Sequence, residues 1–174
     1  MIRPDQTQSH ILRRLPALIL AAVLATSVSL IPQASAAEQA EGEMPPMVQV
    51  VESPKNFAET VDAFRVEVDN AGWSLLNENN MAGVLSERGY TLDPVIIFDV
   101  CSGRYSAEIL GNDEARPFSA FMPCRVSIYT TSDDSVFIAR MNTAAVADMM
   151  DPMVADVMAA SDEEISEIIA ATIR

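Results

Sequence analysis

Histidine is nearly missing from this 174-residue chain, the single one being His10. Lysine occurs once, at Lys55, tryptophan once, at Trp73, and cysteine twice, at Cys101 and Cys124. With residues 1–36 removed there is no histidine at all. That excludes a Ser-His-Asp or Cys-His centre, a zinc-histidine site and the Cys-x-x-Cys-His haem attachment. Catalysis would fall to carboxylates, thiols, tyrosines or the one lysine. Basic residues are scarce too, 11 against 25 acidic, a formal net charge of −14. A surface of that sign repels nucleic acid and anionic lipid, and favours solubility and cationic partners.

What is present begins with an export signal. Arg13 and Arg14 form a positive n-region, Ala17 to Ile31 is apolar apart from small hydroxyl residues, and Ala34-Ser35-Ala36 is the small-x-small pattern that signal peptidase cuts after. The apolar stretch is shorter than the roughly 20 residues of a spanning helix. Residues 1–36 are therefore expected to be a cleaved secretory signal, Ala37 the new N-terminus, and the mature protein periplasmic or secreted with no membrane span. No cysteine follows the apolar run, which speaks against a lipid anchor. Cleavage takes Arg3, Arg13, Arg14 and Asp5 away, leaving 8 basic and 24 acidic residues, a formal −16.

The remainder has the size of one domain. Residues 37–46 read as a flexible lead-in and 47–174 as a single α+β domain. Met44-Pro45-Pro46-Met47 offers two thioethers to a soft metal, or simply a linker running into a first strand over Met47 to Val51. Ser53-Pro54 reads as the start of a helix with Ser53 as its cap. Phe57, Val61, Phe64, Val68 and Ala71 follow at helical spacing, and Gly72 stops the helix before Trp73, which reads as a core anchor at the head of a second strand. Asn80 caps a short turn up to Arg88 and Gly89. The nearly continuous apolar run Val95 to Cys101 predicts a strand buried on both faces. Ser102 caps a short helix over Gly103 to Leu110. Val126 to Thr130 and Val136 to Met141 alternate as a hairpin, with Val126, Ile128, Val136 and Ile138 on one face. Asp151-Pro152 restarts a helix, and Ser161 with Glu164 reads as an S-x-x-E capping box opening a last one. This C-terminal pair must cover the open sheet face or another subunit, and its methionines (Met149, Met150, Met153, Met158) are gap-filling core or a soft docking surface.

The helix around Phe57, Gly72-Trp73, the strand ending at Cys101, and Met122-Pro123-Cys124-Arg125-Val126-Ser127-Ile128-Tyr129 followed by Ile138-Ala139-Arg140-Met141-Asn142 together resemble the family known as domain of unknown function 302. The resemblance runs from about Val48 to Met158. It implies an α+β fold of TATA-binding-protein-like type, an antiparallel sheet of four to five strands against a long C-terminal helix, and a homodimer. The order read directly from the residues is the same, β-α-β(4)-α. Where that family tends to have Asp-Gly in the hairpin turn, this chain has Asp133-Asp134, so a longer loop is expected.

Chemistry concentrates at the two thiols. Cys101 ends one strand and Cys124 begins the next, and two cysteines in one exported chain usually pair. A disulfide across that loop would stabilise the fold by roughly 3 kcal/mol. The other reading is a redox or metal pair, with Arg125 and Arg104 lowering the thiol pKa values and Met122 supplying a thioether to copper or haem iron. Tyr105, Tyr129, Arg125 and Arg140 are candidates for a small anion-attracting cleft, or else they form salt bridges to Asp99, Asp133 or Asp134. No catalytic residue, cofactor or metal ligand set follows from the residues themselves. Three functions stay open: a non-enzymatic small-ligand-binding or accessory protein acting on a ligand or periplasmic partner; a thiol-dependent redox or soft-metal protein; and an interaction module working through its C-terminal helices.

Overall fold

The computed structural model describes residues 46–174, the side chains of 144 and 148 excepted. The expected signal (1–36) and nearly all of the lead-in lie outside the described residues. Five strands form one antiparallel sheet: β1 (Val48–Ser53), β2 (Ser74–Asn80), β3 (Val95–Cys101), β4 (Cys124–Thr130) and β5 (Val136–Met141). Their order across the sheet is β1-β5-β4-β3-β2. Between them run α1 (Phe57–Asn70), α2 (Met81–Ser86) and α3 (Gly103–Leu110), and α4 (Pro152–Thr172) closes the chain. The α+β class and the β-α-β(4)-α order hold, with α2, α3 and two 3-10 turns inserted.

Helix α1 starts later than the Ser53-Pro54 pattern suggests. Ser53 stays in β1, buried opposite Val136, and its hydroxyl is shared with Thr60 and the Lys55 amide. The cap is Asn56, whose Oδ1 accepts from Glu59 N (3.0 Å) while Asn56 N donates to Glu59 Oε2 (3.3 Å). That reciprocal box satisfies two amide donors that Ser53 could not reach. At the other end Gly72 takes φ +71°, which lets Trp73 N donate to Val68 O (3.0 Å) and turns the indole inward.

Val61, Phe64 and Val68 of α1 and Ile165, Ile168 and Ile169 of α4 bury against Phe98, Val100, Val126, Ile128 and Ile138 of the sheet. This is the main core. A smaller one joins Ile109 and Ala115 to Val154, Val157 and Met158. Two expectations are corrected here. Strand β3 is buried on one face: Phe98 and Val100 are fully covered, while Val95, Ile97 and Asp99 are half-exposed on the other. And no helix break occurs at Ser161. Val154, Val157, Met158, Ser161, Ile165, Ile168, Ile169 and Thr172 form one unbroken buried stripe over 21 residues. Burying it continuously outweighs a local capping signal, so the expected helix pair is one helix spanning roughly 30 Å. Its apolar stripe covers the sheet and is not free to dock a partner.

The hairpin pairs Ile128 with Ile138 and Thr130 with Val136, and its five-residue loop places Asp134 at φ 65°. The longer loop expected from Asp133-Asp134 is present.

Candidate functional site

The two cysteines meet where the end of β3 passes the start of β4, at the seam between the two cores. Register puts Val100, not Cys101, opposite Cys124. Cys101 lies one residue beyond that pair, where the chain leaves β3 for α3, and each sulfur is engaged by a different helix: Cys101 Sγ with Ser106 Oγ of α3, Cys124 Sγ with Ser161 Oγ of α4 at 3.9 Å. Both are free thiols. The disulfide expected from the sequence is not formed in this structure. A cavity of about 30 Å³ is lined by Cys101, Cys124, Met122, Met158, Tyr105 and the two serines among others. A second, of about 40 Å³, lies on the far side of Cys124, with Met122, Arg125, Arg140 and Asp162 in its wall. Each has room for a water or a single ion; neither admits a haem or an organic ligand.

Arg104 and Arg125, the arginines expected to serve the thiols, pair with carboxylates instead. Burial pushes the Cys124 thiol up, and the Ser161 hydrogen bond only partly offsets it. Arg125 is on the outer face of the sheet against Asp99 (3.4 Å), a contact too poorly aligned for a hydrogen bond. Arg104 pairs with Glu164. Arg140, 8% exposed, reaches inward from β5 to Asp162, Gln49 and Ser166, and Thr143 Oγ1 completes the cluster by donating to Asp162 (2.9 Å). Burial raises the Asp162 carboxyl, but the hydrogen bonds from Arg140 and Thr143 prevail and hold it below its ordinary range.

The expected cleft of Tyr105, Tyr129, Arg125 and Arg140 is therefore not assembled. Tyr129 and Arg125 alternate onto the outer face, where Tyr129 stacks on Phe137 (5.7 Å between centroids), while Arg140 faces α4. Of the salt bridges expected instead, Arg125 to Asp99 is made, and Arg140 takes Asp162, a residue absent from that expectation. Tyr105, Met122, Cys101 and Cys124 do come together.

Beside the thiols the molecule opens into a groove of about 680 Å³. Its walls are the end of α1 and the turn after it (Glu67, Asn70, Gly72), the start of α3 with the residue before it (Ser102, Gly103, Arg104), and the C-terminal half of α4 with the residues beyond it (Glu164, Glu167, Ile168, Arg174). Glu164 is fixed at its edge by three donors: Trp73 Nε1 (3.0 Å), Tyr105 OH (2.9 Å) and Arg104. Burial works against ionisation there, and those three hydrogen bonds overcome it, keeping the Glu164 carboxyl low. Ser102 is buried and gives no side-chain cap, so the first turn of α3 meets the groove without a hydroxyl over its amides.

The model of the family described as Domain of unknown function DUF302 matches residues 49–172. This chain belongs to the DUF302 family. A crystal structure of an uncharacterised conserved DUF302 protein from Bacillus stearothermophilus is similar with a TM-score of 0.66 and 21% identity, over 74% of this chain and 98% of that one. At that identity the likeness is one of fold. No curated protein matches the chain. The family match reaches past Met158 to the end of α4, further than the resemblance read from the Met-Pro-Cys-Arg segment.

Sequence reasoning on this DUF302 chain missed Glu164, Glu167, Ser106, Ser161 and Asp162. A usable signal existed for Glu164: Trp73 and Tyr105 each carry a donor that needs a partner when buried, and a carboxylate on the covering helix supplies it.

Proposed function

We propose that the protein is a non-enzymatic, exported small-ligand-binding or accessory protein whose ligand occupies the groove between α1, α3 and α4. Size carries this reading. The groove's 680 Å³ falls within the roughly 300–1,000 Å³ of small-molecule sites, and the thiol cavities fall an order of magnitude below it.

The walls say what kind of ligand fits. The uncapped first turn of α3 and Arg174 favour negative charge, Arg104 being neutralised by Glu164; Glu67, Glu167 and the carbonyl end of α1 favour positive charge. A small zwitterion, an ammonium and a carboxylate a few bonds apart, satisfies both walls at once. The export signal fits a protein that meets such solutes outside the cytoplasm. No lysine is available for covalent capture, since Lys55 Nζ donates to the Thr172 carbonyl (2.6 Å).

Calorimetric titration of the mature protein with a panel of free amino acids and betaines tests this. Binding by at least one of them is expected, weakened about tenfold or more when Glu67→Gln and Glu167→Gln remove charges worth up to about 1 kcal/mol each at a helix end. No binding across the panel, with no small molecule carried through native mass spectrometry, would overturn it.

The homodimer expected for the family attaches, in the same proposal, to the outer face of the sheet. Val48 and Val50 are 54% and 53% exposed there, beside Phe137, Ala139 and Met141. Apart from Glu52, opposite Phe137, the strip is apolar in a strongly acidic chain, so a second copy of the same strip suits it better than a cationic partner.

A further inference from the structure

We propose that Cys101, Cys124 and Met122 form a site for one soft monovalent metal ion, with Cu(I) the ion the donors suit best. The observation is that all three residues line a single 30 Å³ cavity, with Met158 also in its wall. That volume is about what one water occupies in the liquid, so the occupant is atom-sized. This inference is independent of the groove: it concerns different residues and a different class of ligand.

The donor set selects the ion. Two thiolates and a thioether are soft ligands that favour Cu(I), whereas carboxylates and carbonyls serve harder ions. Among the described residues no three His, Cys, Asp or Glu side chains cluster as a metal site, so Zn(II) lacks its usual four-ligand shell. The surroundings fit an ion rather than a redox reaction. The arginines nearest in sequence are spoken for, Arg104 by Glu164 and Arg125 by Asp99, and Arg140, which shares the neighbouring cavity with Cys124, is held by Asp162. Each sulfur instead contacts a serine hydroxyl, Ser106 for Cys101 and Ser161 for Cys124, which can turn to donate once the sulfur is metal-bound. These serines sit on α3 and α4, so the ligands are steadied from two rigid elements.

Binding is balanced without any oxidant. Two S–H bonds break, two Cu–S bonds form, two protons pass to solvent, and copper stays in the +1 state. Met122 adds a neutral third donor.

The test is an anaerobic Cu(I) titration of the reduced mature protein in competition with a chromophoric Cu(I) chelator. One Cu(I) per chain is expected, with Zn(II) failing to displace it. Cys101→Ser and Cys124→Ser should each lower affinity by at least roughly 100-fold, beyond what losing an outer-shell partner costs, and Met122→Leu by roughly tenfold. Met122→Leu conserves volume, so it reports even if a cysteine variant folds poorly. Glu67→Gln should leave Cu(I) affinity unchanged, which separates this site from the groove. Failure to hold Cu(I) against the chelator, or uptake indifferent to Cys124→Ser in a folded variant, would overturn the proposal. So would an affinity unchanged in Met122→Leu, which removes the third sulfur from the set.

Discussion

Arg140 is the centre of the buried polar cluster between the sheet and α4. It is a buried cation on an inward strand position, matched by Asp162, Gln49 and Ser166. Removing one member of such a pair leaves the other charge buried, so Arg140→Leu should cost about 3 kcal/mol in a denaturant melt. Replacing Asp162 by Leu as well should cost less than the two single changes added together. The pH dependence follows from the lowered Asp162 carboxyl. Its contribution is full above the ordinary carboxylate range and is lost as pH falls through its depressed folded value; Asp162→Asn should flatten that acid limb. Strand parity accounts for the failed cleft. Alternation separates Arg125 and Tyr129 from Val126 and Ile128, and it puts Arg140 with Val136 and Ile138 on the inner face, so the failure of the cleft was already legible once the hairpin face was assigned.

Among the elements, those legible in the sequence are the ones whose local and tertiary preferences agree. The β4–β5 hairpin alternates cleanly and folds as read, and so does α1 from Val61 to Gly72. The Ser161–Glu164 box failed because the buried stripe of α4 and the donors of Trp73 and Tyr105 recruit those side chains elsewhere. Glu163, exposed and the second residue of the supposed new helix, separates the two descriptions. Proline is tolerated in a first turn but costs about 3 kcal/mol or more inside a helix. Glu163→Pro is therefore expected to destabilise by that amount in chemical unfolding; a loss under about 1 kcal/mol would mean that α4 does break there. At the thiols, compartment and count pointed to a disulfide, whereas helices α3 and α4 draw the sulfurs to Ser106 and Ser161. Nothing in the spacing of Cys101 and Cys124 foretells those serines.

Across the described residues the surface combines an acidic body, an exposed apolar strip along β1 and β5, and the groove between α1, α3 and α4. If a second copy covers the outer face, sedimentation should give a dimer that Val50→Lys splits into folded monomers, and a wild-type monomer at micromolar concentration would remove that assignment. Composition foretold the acidic body, and the absence of histidine from the described residues narrowed the chemistry there. The groove was not foretold, because its walls come from three helices brought together only by packing on the sheet. It is also the feature on which the functional reading rests. Amide NMR spectra of the mature protein, titrated with the amino acid or betaine that binds in the calorimetric panel, test it most directly. Shifts confined to Asn70–Gly72, Ser102–Arg104 and Glu164–Arg174 are the predicted result; shifts centred on the outer sheet face, or none at saturating ligand, would contradict it.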